Sequence, residues 1–122
     1  VVSSTWTARG RQKVIEKAEG GWRVTVIEDT ISLEKLQHYL NLTKQARVKA
    51  TPIHPDGSQE SEMLAVLLRM ADDYTSDANY FMENGDYIRA FGAINYAHAW
   101  IDAGIKLKLL DGHGDDDLFT LP

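Results

Sequence analysis

The chain has 122 residues, is 43% hydrophobic and 25% charged, and carries a formal net charge of -5, values that describe one small globular domain and leave no room for a second of full size. With no cysteine it has no disulfide scaffold, no thiolate-bound zinc or iron–sulfur cluster and no thiol catalysis. No apolar stretch approaches the ~18 residues of a membrane span, and residues 1–23 lack the continuous apolar core of a signal peptide. A domain of this length buries about two thirds of its unfolded surface, enough to hold a core without covalent staples.

Charge separates the chain in two. Residues 1–23 hold Arg9, Arg11, Lys13, Lys17 and Arg23 against Glu16 and Glu19, so the remainder has eight cations against sixteen anions. This basic arm is expected to be dispensable for the core fold. Within it, Ala8 to Ala18 reads as a short helix whose only apolar positions are Val14, Ile15 and Ala18, stopped by Gly20-Gly21. Trp22, Val24 and Val26 then alternate on one side of an extended segment that has no evident partner strand. The expected division is an N-terminal extension over 1–30 and a helical domain over 31–122.

From Ser32 onward the pattern is helical. Ser32 is a suitable N-cap and Glu34 suits the positive end of the helix dipole. Leu33, Leu36, Leu40 and Thr43 recur at helical steps, which predicts a helix over about 32–50, ended by Pro52 and Pro55. A second helix, about 58–84, carries Met63, Leu64, Val66, Leu67, Met70, Ala71, Tyr74, Ala78 and Phe81 on its apolar side. Asn84-Gly85-Asp86 stops it with a left-handed glycine and caps the next, so these two helices fold back antiparallel. The third, about 87–110, places Ile88, Phe91, Ile94, Ala97, Ile101 and Ile105 on one stripe and is rich in Ala and Gly, the mark of a close neighbour. The expectation is an all-α, up-and-down three-helix bundle with a basic N-terminal arm.

The block Gly85-Asp-Tyr-Ile-Arg-Ala-Phe-Gly-Ala-Ile-Asn-Tyr-Ala-His-Ala-Trp-Ile-Asp-Ala-Gly104 makes a further point together with Ala71-Asp-Asp-Tyr-Thr-Ser-Asp-Ala-Asn-Tyr-Phe81 and Asp115-Asp-Asp-Leu-Phe119. These residues resemble the archaeal family known as domain of unknown function 357, over about residues 31–120. The resemblance implies a small archaeal, cytoplasmic bundle and carries no activity with it. A fainter similarity runs to the helical ribonuclease domains of toxins and antiviral systems. Those place four to six residues between an Arg and a His, whereas eight lie between Arg89 and His98 here.

Phe91, Asn95, His98 and Asp102 follow three- and four-residue steps and share a helix face. Antiparallel pairing about Gly85 sets Asp77 near Asn95 and Asp73 or Tyr74 near His98. The expected polar cluster is therefore Asp73, Tyr74, Asp77, Arg89, Asn95, His98 and Asp102. One reading is a buried network that fixes helix register. A second is a divalent-metal site, though the Glu-x-x-His ligand pair of di-iron bundles is absent because Asn95 stands three before His98. A third is phosphate binding or acid–base chemistry by Arg89, Asn95 and His98.

No phosphate loop, nucleophile elbow or metalloprotease motif is present, so no catalytic residue, metal or cofactor is assigned. Asp111-Gly-His-Gly-Asp-Asp-Asp117 lacks the order of a calcium loop and reads as a solvated acidic turn, after which Leu118, Phe119 and Leu121 should fold back. His38, His54 and His113 belong to no constellation. The expected function is a non-catalytic module that binds a protein partner or itself through residues 90–104 or 22–27. An RNA-binding or RNA-processing domain is the alternative, with weak nucleic-acid contact through the basic arm.

Overall fold

Ser32, Ser58 and Asp86 each open a helix by the same device: the side-chain oxygen accepts the backbone N–H three residues on, from Lys35, Ser61 and Arg89, each at 3.1 Å. The computed structural model describes residues 3–8 and 11–122, and places after these caps α1 (Leu33–Lys49), α2 (Gln59–Glu83) and α3 (Tyr87–Lys106). The chain divides into two compact units, Val1–Ile31 and Ser32–Pro122.

In the helical unit, contacts fix the directions. Tyr74 meets Tyr96 edge-on at 4.5 Å and the Arg89 guanidinium lies over Phe81 at 5.7 Å, so residue numbers fall on α3 as they rise on α2. Tyr39 meets Phe91 at 5.3 Å and Thr43 bonds His98 at 2.9 Å, so α1 and α3 run the same way. α3 packs closely on both neighbours. α1 and α2 stand further apart across an open groove of about 540 Å³, bridged by the two-pronged Arg47–Asp72 ion pair at 2.8 and 3.1 Å.

Both ends of the α2–α3 hairpin close in the same geometry. At α2 the N–H groups of Gly85 and Asp86 bond the carbonyls of Met82 and Phe81, with Gly85 at φ 77°. At α3 the N–H groups of Lys108 and Leu109 bond the carbonyls of Ile105 and Gly104, with Lys108 at φ 59°. The third helix thus stops at Lys106 rather than near 110. The chain leaves it because Leu110–Asp111 (β5) pairs antiparallel with Thr51–Pro52 (β4), and His54 Nε2 donates to the Lys108 carbonyl at 3.1 Å.

The core is drawn from all three helices and the tail: Leu36 and Ala46, then Leu64, Ala71 and Ala78, then Ala90, Ile94, Ala97, Ile101 and Ile105, and finally Leu118 and Phe119. The tail therefore folds back as its apolar residues require. Small residues on α3 serve this packing, since a Cβ on Gly104 would lie 2.7 Å from Leu110 Cδ1. Ile88 departs from the expected stripe and is 72% exposed.

The N-terminal unit corrects the all-α expectation. Ser3–Ala8 (β1), Arg11–Ala18 (β2) and Gly21–Ile27 (β3) form an antiparallel sheet in that order. Of the short helix expected over Ala8 to Ala18, Ala8 ends β1 and Arg11–Ala18 is β2, Arg9 and Gly10 lying outside the described residues; the 22–27 segment has a partner in β2, with Ile15 opposite Val24 and Lys17 opposite Trp22. Two forces favour this outcome. Three apolar positions were too few to seat a helix, whereas Val14 and Ile15 are β-branched and Gly20, at φ 87°, allows the two-residue turn after Ala18.

Candidate functional site

His98 projects from α3 toward α1 and the tail. Its Nε2 lies 2.7 Å from the Leu118 carbonyl, which can only accept, so Nε2 carries a proton and donates. Its Nδ1 lies 2.9 Å from Thr43 Oγ1. In the neutral ring Nδ1 therefore accepts the threonine hydroxyl proton, and in the charged ring the direction reverses. Thr43 is 3% exposed, so this bond satisfies a hydroxyl that water does not reach.

One turn on, Asp102 Oδ1 accepts the Thr120 N–H at 3.0 Å and Oδ2 accepts its hydroxyl at 3.3 Å. Lys106 donates to the Leu121 carbonyl. These three side chains, spaced four residues apart on α3, hold the tail by hydrogen bonds to its backbone at Leu118, Thr120 and Leu121. Beside them is a cavity of about 300 Å³, edged by Tyr39, Asn95, His98, Asp102 and Asp117.

The remaining residues of the expected cluster lie elsewhere. Asp73 and Asp77 are exposed on α2, and Tyr74 beside them contacts Tyr96. The hairpin register explains this placement, because Tyr74 falls opposite Tyr96, and His98 is rotated about 200° from Tyr96 around α3. Arg89 pairs with Asp86 at 3.2 Å near the hairpin turn, nine residues and about 14 Å of helix rise from His98. So Asn95, His98 and Asp102 come together, and Asp73, Tyr74, Asp77 and Arg89 do not join them. Sequence reasoning missed Thr43, Thr120 and the Leu118 carbonyl. For Thr43 the signal was a hydroxyl at a core position of α1; for a tail carbonyl there was none.

The acidic turn uses its carboxylates locally. Asp111 Oδ1 accepts the His113 N–H at 2.8 Å, and Asp115 Oδ1 accepts from Asp117 and Leu118, each at 3.1 Å. Lys49 Nζ reaches Asp115 Oδ2 at 2.7 Å, and this hydrogen bond is the main reason the Asp115 carboxyl titrates below its ordinary value near 3.8, with the two backbone N–H groups adding to it and partial desolvation opposing. His113 Nε2 bonds Thr51 Oγ1 at 2.9 Å. Among the described residues no group of three or more His, Asp or Glu side chains converges as metal ligands, and no helix is long and apolar enough to cross a membrane.

The geometry defines a small helical protein in which a hairpin of two long helices carries a third helix and a tail pinned through histidine and aspartate. The chain belongs to the DUF357 family, described as protein of unknown function, whose family model matches residues 38–110. That span takes in most of α1, all of α2 and α3, and the first residue of β5. No curated protein and no solved structure matches the chain.

Proposed function

We propose that this chain is a non-catalytic archaeal, cytoplasmic module, an up-and-down helical bundle that works through protein contacts. The observation that carries this reading is the outer face of α3. Ile88, Gly92, Tyr96, Ala99, Ala103 and Leu107 follow one another at three- and four-residue steps, a strip about 28 Å long whose six residues are uncharged, with Arg89 and Lys106 beside its two ends. Ile88 and Leu107 at its ends are 72% and 60% exposed, in a chain that is one quarter charged. A continuous apolar strip of this kind on a small acidic protein suits a partner surface. The polar residues, by contrast, are consumed by the fold: both nitrogens of His98 are engaged, and Arg89 is paired with Asp86 far from it. The RNA-processing alternative needs Arg89 and His98 at one site, and that arrangement is absent.

Site-specific photo-crosslinking in the native cells tests the reading. A photoreactive side chain at position 96 or 99 should give adducts of defined mass that a probe at the exposed Asp73 position does not. Absence of position-dependent adducts would remove protein contact through α3.

A further inference from the structure

We infer that the outer edge of β3 pairs with the same strand of a second copy, antiparallel about a two-fold axis through Val24, to make one continuous six-stranded sheet. This rests on the reading of the chain as a contact module and names the partner and the residues. The two-residue Glu19-Gly20 turn makes Ala18 and Gly21 a pair that exchanges both main-chain hydrogen bonds. Such pairs alternate along an antiparallel ladder, so Arg23, Thr25 and Ile27 turn their N–H and C=O groups toward β2. Trp22, Val24 and Val26 then turn theirs outward. In the sheet order β1-β2-β3 that outer edge has no neighbouring strand among the described residues.

A two-fold axis through Val24 matches this edge to itself without remainder. It sets Val24 against Val24, and Trp22 against Val26 in both directions, so every outward donor meets an outward acceptor. The same operation keeps faces together, joining the Ile15, Lys17, Trp22, Val24 and Val26 side of one copy to that of the other. Those three β3 side chains are 62%, 54% and 41% exposed, and none is charged. On the opposite face Arg23 falls across from Thr25 of the second copy. Arg23 is already paired with Glu16 of its own sheet at 2.9 Å, so no like charges confront each other. Gly21–Ile27 has no proline, lysine or bulge to blunt its edge, and its one charged residue, Arg23, is held by Glu16 of the same sheet.

The absence of cysteine makes a clean test in the 122-residue chain. In a pair exchanging both hydrogen bonds the Cα atoms lie about 5.5 Å apart, within disulfide range. Under mild oxidation Val24→Cys should form a linked dimer at least about tenfold faster than Thr25→Cys, one position off the axis, or Val66→Cys on α2. In sedimentation over ~1 to ~500 μM the wild type should dimerise. Val24→Lys and Val24→Glu should each weaken this by about tenfold or more, and mixing the two should restore it, since the opposed residues then carry opposite charge. Equal linking at 24, 25 and 66, or a dimer indifferent to Val24→Lys and Val24→Glu, overturns the β3 edge while leaving self-association in place. A wild-type monomer throughout overturns the pairing and leaves the α3 contact to its own crosslinking result.

Discussion

The two units of this chain handle apolar side chains in opposite ways. In Ser32–Pro122 a helix such as α3 shows one side to α2 and another to α1, so Ile94, Ala97, Ile101 and Ile105 are all buried from solvent. In the N-terminal unit a single sheet layer has two faces, and Trp22, Val24 and Val26 remain largely open. One layer cannot bury its own face, whereas two or more can. Stability should therefore be concentrated in the helical unit, and substitutions along the chain should reveal the gradient.

The largest effect is expected at Ile101→Ala, which deletes a side chain of zero exposure and should cost about 2–5 kcal/mol in chemical denaturation. His98→Ala comes next. It strands the Thr43 hydroxyl and the Leu118 carbonyl, for about 1–3 kcal/mol and a fall of several degrees in Tm. An unchanged Tm would mean that the tail is held without the histidine and would return His98 to functional assays. Acid supplies a third probe. Because the Asp115 carboxyl is held below its unfolded value, its contribution is complete above about pH 4 and is lost as pH falls through the folded value. Lys49→Met should flatten the dependence of Tm on pH in that window and leave it unaltered near neutrality apart from a constant offset. Trp22→Ser should be smallest, within about 0.5 kcal/mol, and a cost like that of Ile101→Ala would break the comparison between the units.

The helices were legible in the sequence because their signals are local. Ser32, Ser58 and Asp86 cap where expected, and Gly85 takes the positive φ that its place between two helices demands. Lys108 performs the same turn with a side chain that gives no hint of it, so helical spacing alone carries α3 four residues past its end. What holds it there is distant in sequence: the Thr51–Pro52 strand and His54. The sheet is hidden from the sequence for a related reason. The segment before Gly20-Gly21 carries an indecisive apolar pattern, and its strand character comes from pairing with β3. The polar site was half legible: the α3 face of Asn95, His98 and Asp102 follows from helical spacing, whereas pairing with the tail depends on how far the chain turns back after Gly114.

The different reach of the helix contacts also orders the motions of the helical unit. α2 and α3 meet across a three-residue turn, so their hairpin can close with little loss of chain entropy, whereas Thr43 joins His98 across 55 positions. Among the described residues α1 packs more closely on α3 than on α2, with a groove open beside α2. α1 should then detach as a separate cooperative segment, with its amides exchanging hydrogen for deuterium under native conditions before those in the middle of α2 and α3. In that partly opened form Leu36, Ala46 and their partners on α3 would be uncovered together, a transient surface that protease cleavage near Gly57 would report.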